Sequence, residues 1–171
     1  MKIAVLSDSH FKVEYTKEVL AFLKQKGASY VIHAGDLQIE SNLIALEENK
    51  LPYVSVFGNN DYPLKDIAHK YCIKTEPYNF KIKDITFKLM HMPYYMSADA
   101  NVVISGHTHI YECEYVNNTL FLNPGEVCAR EKPQIECVLL EVTDDAYIVT
   151  KYTRNINENN FEEERKEYER K

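Results

Sequence analysis

Asp8, His10, Asp36, Asn59, His91, His107 and His109 are oxygen or nitrogen donors, and each stands where an apolar run gives way to a polar loop. A donor set without thiolates suits Mn²⁺, Fe²⁺/Fe³⁺ or Zn²⁺ better than Cu(I) or an iron–sulfur cluster. Asp8-Ser9-His10 and His107-Thr108-His109 share a spacing of two. In an extended segment residues two apart point the same way, so each pair is expected to send both donors into one pocket. Of the chain's five glycines, three directly precede one of these donors, in Gly35-Asp36, Gly58-Asn59 and Gly106-His107, and a fourth closes the later candidate motif Asn123-Pro124-Gly125. Glycine permits the tight turns and close backbone approach that a site assembled from several loop tips requires. Taken singly, any of these histidines is more often structural than a ligand. Order, residue chemistry and glycine placement together point to a metal centre.

Such donors need strands that deliver them to one edge. Ile3 to Leu6 is a continuous apolar run, as in a strand covered on both faces, and it hands the chain to Asp8 and His10. Val19, Leu20, Phe22 and Leu23 recur at helical spacing within Val13 to Lys26, with Gly27 as the stop. Tyr30 to His33 is predicted as a strand ending at Gly35-Asp36. A helix around Leu43 to Leu46 is broken by Leu51-Pro52, and Tyr53 to Phe57 forms a third strand ending at Gly58-Asn59. This alternation is an α/β signature. Beyond about residue 70 the chain reads as short strands: Phe80 to Ile82, Ile85 to Met90, Val102 to Ser105, Tyr111 to Val116, Thr119 to Leu122, Ile135 to Val142 and Ala146 to Tyr152. Asp84 and Asn117-Asn118 mark hairpin turns.

With 171 residues and 45% hydrophobic side chains, the chain fits one compact domain over 1–155, followed by a charged stretch at 156–171. That last stretch is nearly all Glu, Lys, Arg and Asn, with Phe161 and Tyr168 as its apolar anchors. Its composition predicts a solvated terminal helix or frayed tail. A net charge of −6 lacks the positive footprint of a protein that grips long nucleic acid. Bound cations would still reverse the field at one site for a small phosphate. Cys72, Cys113, Cys128 and Cys137 show no disulfide or C-x-x-C spacing and read as reduced thiols. The apolar run before Asp8 is too short for a signal peptide, and no stretch approaches the roughly 20 apolar residues that cross a bilayer. A cytoplasmic protein without a membrane partner is the expectation.

Asp8-x-His10, Gly35-Asp36, Gly58-Asn59-x-Asp61, a strand-ending His91 and Gly106-His107-Thr108-His109 resemble, in order and spacing, the motif series of the calcineurin-like metallophosphoesterases. The small size, Asn60 inside the third motif and Asn123-Pro124-Gly125 look like the compact bacterial and archaeal phosphodiesterase branch. The resemblance covers roughly residues 1 to 142, and it is the combined series rather than any one motif that is specific. It implies a four-layer α/β/β/α sandwich of two mixed sheets flanked by helices. It also implies two divalent metal ions, Mn²⁺ first, with Zn²⁺, Fe or Ni²⁺ as alternatives. Asp8, His10, Asp36 and His109 would hold the first. Asp36, Asn59, His91 and His107 would hold the second, so that Asp36 bridges. The implied reaction is attack of a metal-bridging hydroxide on phosphorus, with Asn59, Asn60 and His91 in the catalytic group. Relatives of this branch are often homodimers or larger homo-oligomers.

Two departures bear on substrate. Many relatives carry histidine where Asn60 stands. Asparagine donates a hydrogen bond but delivers no proton by an imidazolium route, which predicts diesters over monoesters and a preference for good leaving groups. His91 is followed by Met92-Pro93 instead of the family's Gly-His, so the wall facing substrate is expected to be trimmed. The expected function is hydrolysis of small phosphodiesters. Its rivals are a phosphomonoesterase or nucleotidase, and a non-catalytic scaffold like the retromer subunit that shares this fold and has lost histidine ligands. Of the remaining candidates, His33 is expected to support the ligands, Asp61 to fix the loop that presents Asn59, and His69 to lie on the surface. Tyr94, Tyr95, Arg130 and Lys132 either meet substrate or simply pack and solvate.

Overall fold

A computed structural model describes residues 1–170. The first half is the expected alternation: β1 (Lys2–Leu6), α1 (Val13–Gln25), β2 (Tyr30–His33), α2 (Glu40–Glu48) and β3 (Tyr53–Val56). A 3₁₀ segment, Tyr62–Lys70, then leads to the two-residue β4 (Ile73–Lys74). The strand-rich half follows as β5 (Tyr78–Ile82), β6 (Ile85–Leu89), β7 (Val102–Ile104), β8 (Tyr111–Val116), β9 (Thr119–Pro124), β10 (Gln134–Val142), β11 (Ala146–Asn155) and β12 (Glu162–Glu169). Asn117 and Asn118 both adopt left-handed φ, 51° and 61°, as a type I′ hairpin turn demands.

Two mixed sheets pack face to face. The larger runs β12-β11-β10-β1-β2-β3-β4 and the smaller β5-β6-β7-β9-β8. The period-two alternation of buried strands divides the core into two layers. Ala4, Leu6, Val31 and Leu139 face the layer under α1 and α2, where Val19, Leu23, Leu43 and Leu46 meet them. Ile3, Val5, Ile32, Val138 and Leu140 face the other way, onto Phe87, Leu89, Ile104, Leu120 and Leu122 of the second sheet. In the parallel part of the large sheet, β1, β2 and β3 all end at the same edge, which brings the loops after Leu6, His33 and Val56 together.

The expected α/β architecture is present, with one difference in its outermost layer. Among the described residues, both α-helices lie on the large sheet. The outer face of the small sheet carries a 3₁₀ turn, Pro93–Tyr95, and the loop that follows it. Lys88 on that face is buried and fixes the loop through Ser97 Oγ at 2.7 Å and the Asp99 carboxylate at 2.9 Å. The segment after His91 is short, so it closes this face with a loop.

The C-terminal stretch corrects the sequence reading, because it is neither helix nor frayed tail. Glu162–Glu169 pairs antiparallel with β11 from Thr153↔Glu162 to Ala146↔Glu169 and forms an edge of the large sheet. An edge strand needs one row of backbone partners and no apolar face, and dense charge guards such an edge against pairing with other chains. Tyr168 is its anchor: the ring lies 5.9 Å from Tyr115, and the hydroxyl donates to the Cys113 carbonyl of β8 at 3.2 Å. Tyr168→Ala is expected to lower stability by about 1–2 kcal/mol in urea denaturation. An unchanged midpoint would mean that the strand adds nothing to the fold.

Candidate metal centre

The loops at the shared edge are stitched together by their backbones. Asp8 N–H donates to Gly35 O (3.0 Å), His10 N–H to Asp36 O (2.9 Å), Cys128 N–H to Asp8 O (3.0 Å) and Gly106 N–H to His91 O (3.0 Å). Two glycines allow this closeness. A Cβ at Gly58 would collide with the Asp36 carboxylate, and one at Gly106 with Ser7 Oγ and the Ala34 carbonyl. All seven predicted donors meet here, together with Asn60.

The backbone conformation differs from the extended one expected for the i, i+2 pairs. Asp8 (φ 56°), His10 (46°), Asp36 (57°), His107 (70°) and His109 (59°) all lie in the left-handed region. Each residue so held costs on the order of 1–3 kcal/mol, and such strain concentrates at functional sites. The shared direction of each pair thus comes from a repeated left-handed turn.

Three imidazoles are set the same way by their partners. His10 Nδ1–H donates to Gln38 Oε1 (2.8 Å), His91 Nδ1–H to the Ala34 carbonyl (2.8 Å) and His109 Nδ1–H to Glu126 Oε2 (2.5 Å). Each therefore turns Nε2 inward. Tying Nδ1–H outward leaves Nε2 as the ring atom whose lone pair can meet a cation. His91 Nε2 lies 3.4 Å and His10 Nε2 3.7 Å from Asp36 Oδ2, while His109 Nε2 lies 3.2 Å from Asp8 Oδ1. Asn59 Oδ1 sits between His91 Nε2 (2.9 Å) and His107 Nδ1 (3.0 Å). Asp36 is thus placed between the Asp8–His10–His109 group and the Asn59–His91–His107 group.

The residues fit a cation on electrostatic grounds. Asp8 is fully buried, yet among the described residues its Oδ1 accepts no hydrogen bond. An orphaned buried carboxylate oxygen calls for an ion or water as its partner. Burial pulls the Asp8 carboxyl upward, but His109 and His91 outweigh it and hold Asp8 below the ordinary range. Asp36 behaves likewise through His91 and Asn60. In return Asp36 and Asp8 raise His91 against burial, and Asp8, Cys128 and Glu126 raise His109 against burial. Cys128 Sγ comes close to His10 and His109, but burial raises its pKa and its thiol donates to Glu126 Oε2 at 3.3 Å. The centre is a nitrogen and oxygen site.

Supporting residues divide into expected and missed. His33 is wholly buried, and burial lowers its pKa to about 4. The neutral ring accepts from Gly35 N–H and meets Ser9 Oγ at 2.7 Å, which braces two ligand loops. Asp61 accepts from Gly58 N–H (2.7 Å) and Gln38 N–H (2.5 Å), fixing the loop that presents Asn59. Asn60 donates from Nδ2 to Asp36 Oδ2 at 2.7 Å and from its backbone to Asp36 Oδ1 at 2.9 Å. Asn123 Nδ2 donates to the Gly106 carbonyl and so holds the His107–His109 turn. His69 is exposed, and Tyr94 is 71% exposed on the loop after His91. Sequence reasoning missed Gln38, Asn42 and Glu126. Asn42 is buried in α2 and donates to the His10 carbonyl at 2.6 Å. A polar residue on the inner face of a helix was the available signal for Asn42; Gln38 and Glu126 carried none beyond nearness to a motif.

Residues 1–145 match the model of the calcineurin-like phosphoesterase superfamily domain. The chain is 28% identical over 142 residues to the phosphodiesterase MJ0936 of Methanocaldococcus jannaschii, covering 75% of this chain and 85% of that protein. It is 27% identical over 166 residues to the probable metallophosphoesterase YsnB of Bacillus subtilis, covering 92% and 94%. Its fold is also that of the Vps29 crystal structure from Chaetomium thermophilum, with a TM-score of 0.79 at 14% identity over 100% of this chain and 98% of the other.

Proposed function

This chain belongs to the calcineurin-like phosphoesterase superfamily, and from that premise we propose that it hydrolyses small phosphodiesters with two divalent cations, Mn²⁺ first among them. Asp8, His10, Asp36 and His109 would hold one, and Asp36, Asn59, His91 and His107 the other. The observation that carries the reading is the common setting of His10, His91 and His109, with Nδ1 tied outward and Nε2 turned toward two buried carboxylates. When bound, a pair of cations supplies an activated water and neutralises charge on the phosphoryl oxygens. The chain's own residues do the rest. Asn60 holds both oxygens of Asp36, and Gln38, Ala34 and Glu126 fix the rings.

The Asn60 amide offers the leaving group no proton, so esters with a good leaving group, and diesters before monoesters, are the favoured substrates. With a net charge of −6, long nucleic acid is not the partner. The test is the metal content of the purified protein and its hydrolysis of bis-p-nitrophenyl phosphate and p-nitrophenyl phosphate with Mn²⁺. Close to two metals per chain, faster diester turnover, and loss of both in Asn59→Ala and His107→Ala are expected. A metal-free protein that Mn²⁺ does not activate overturns the proposal. Faster monoester turnover moves it to a phosphomonoesterase.

A further inference from the structure

A cavity of about 430 Å³ opens beside the centre, with His10 and Asn60 on its metal side and Phe11, Lys12, Ala129 and Arg130 around it. That volume is in the range of small-molecule sites. Two features set this cavity apart in a chain of net charge −6. Among the described residues, both charged residues lining it are cations, Lys12 and Arg130, and no carboxylate lines it. Phe11, directly after a predicted ligand, leaves 65% of its surface exposed. Arg130 reaches the centre itself, with Nη2 3.1 Å from His109 Nε2, while its Nε lies 3.4 Å from the exposed Glu131 carboxylate. Lys12 Nζ stands 5.7 Å over the Tyr15 ring and is otherwise free to turn to the cavity.

An exposed aromatic face flanked by two cations suits a planar ring linked to an anion. Stacking on the phenyl ring would fix the base without reading its sequence, and a guanidinium pairs with phosphate oxygens through a two-pronged donor face. We propose that this cavity is the subsite for the part of the substrate beyond the reacting phosphorus, and that it takes a nucleoside carrying a second phosphate. This rests on the phosphodiesterase reading and narrows its substrate class.

The test separates ring from anion. ADP and inorganic pyrophosphate are titrated calorimetrically into the Mn²⁺-supplemented protein and into Phe11→Ala and Arg130→Ala. The wild type is expected to bind ADP at least about tenfold tighter than pyrophosphate, and Phe11→Ala to erase that advantage, in line with base stacking on an aromatic. Arg130→Ala is expected to weaken both ligands. Equal binding of ADP and pyrophosphate by the wild type, or an ADP advantage that survives in Phe11→Ala, overturns the subsite. Failure of the phosphodiesterase reading would appear elsewhere, as absent hydrolysis of bis-p-nitrophenyl phosphate by the wild type, whereas these titrations need no turnover.

Discussion

Asp36→Asn is expected to lower diester turnover by roughly 10³-fold, equivalent to about 4 kcal/mol, and to leave the protein unable to retain two metals. Asp36 is 2% exposed and is the one carboxylate placed between both donor groups, with His91 Nε2 and His10 Nε2 near the same oxygen. An amide has the same shape but carries no charge and turns an NH₂ toward groups that are donors themselves, among them the Asn60 amide. Neutralising the shared ligand therefore removes the attraction for both cations at once, while the isosteric change leaves the packing alone. Metal analysis and turnover are read together with the melting temperature. A variant that keeps two metals and wild-type turnover would sink the shared-ligand role. Lost turnover with a collapsed melting temperature would show only that the loop had unfolded.

Much of this centre was legible because each ligand follows an apolar run directly. Leu6, His33, Val56 and Leu89 end β1, β2, β3 and β6, and Ile104 ends β7, so the donors just beyond them share one edge once the strands pair. Strand periodicity likewise sorted Ile3 and Val5 from Ala4 and Leu6. What stayed hidden was held by backbone rather than pattern. Glu162–Glu169 becomes a strand through hydrogen bonds to β11, which its charges neither announce nor forbid. The left-handed φ of Asp8, His10, His107 and His109 is dictated by crossing loops, and the types of these residues do not reveal it. The loop closing the outer face of the small sheet rests on Lys88, which looks like any surface lysine until Ser97 and Asp99 enclose it.

The likeness to Vps29 bears on the fold alone, because one scaffold hosts unrelated functions and the site decides between them. This chain holds strained backbone at five donor positions and a buried carboxylate oxygen left without a donor among the described residues. Both features cost stability, and a cation would offset that cost.

The most discriminating consequence concerns Glu126, which reaches the centre through His109 Nδ1. It is fully buried, and its two oxygens are divided: Oε1 accepts from Glu131 N–H (2.8 Å) and Lys132 N–H (3.0 Å), and Oε2 accepts from His109 Nδ1–H and the Cys128 thiol. Glutamine has the same shape but only one acceptor oxygen. Two backbone donors claim that oxygen, so the amide NH₂ must face His109 Nδ1. The imidazole can then only accept there, and its proton moves to Nε2, which faces Asp8. The lone pair that would meet a cation is thereby blocked, and Arg130 Nη2, itself a donor 3.1 Å from Nε2, has to turn away. Glu126→Gln is therefore expected to weaken Mn²⁺ binding by roughly 10- to 100-fold in a calorimetric titration. The metal-free melting temperature should fall by only a few degrees, as for one lost hydrogen bond. Unchanged Mn²⁺ affinity would remove Glu126 from the centre and leave it a structural brace for the turn that carries Arg130.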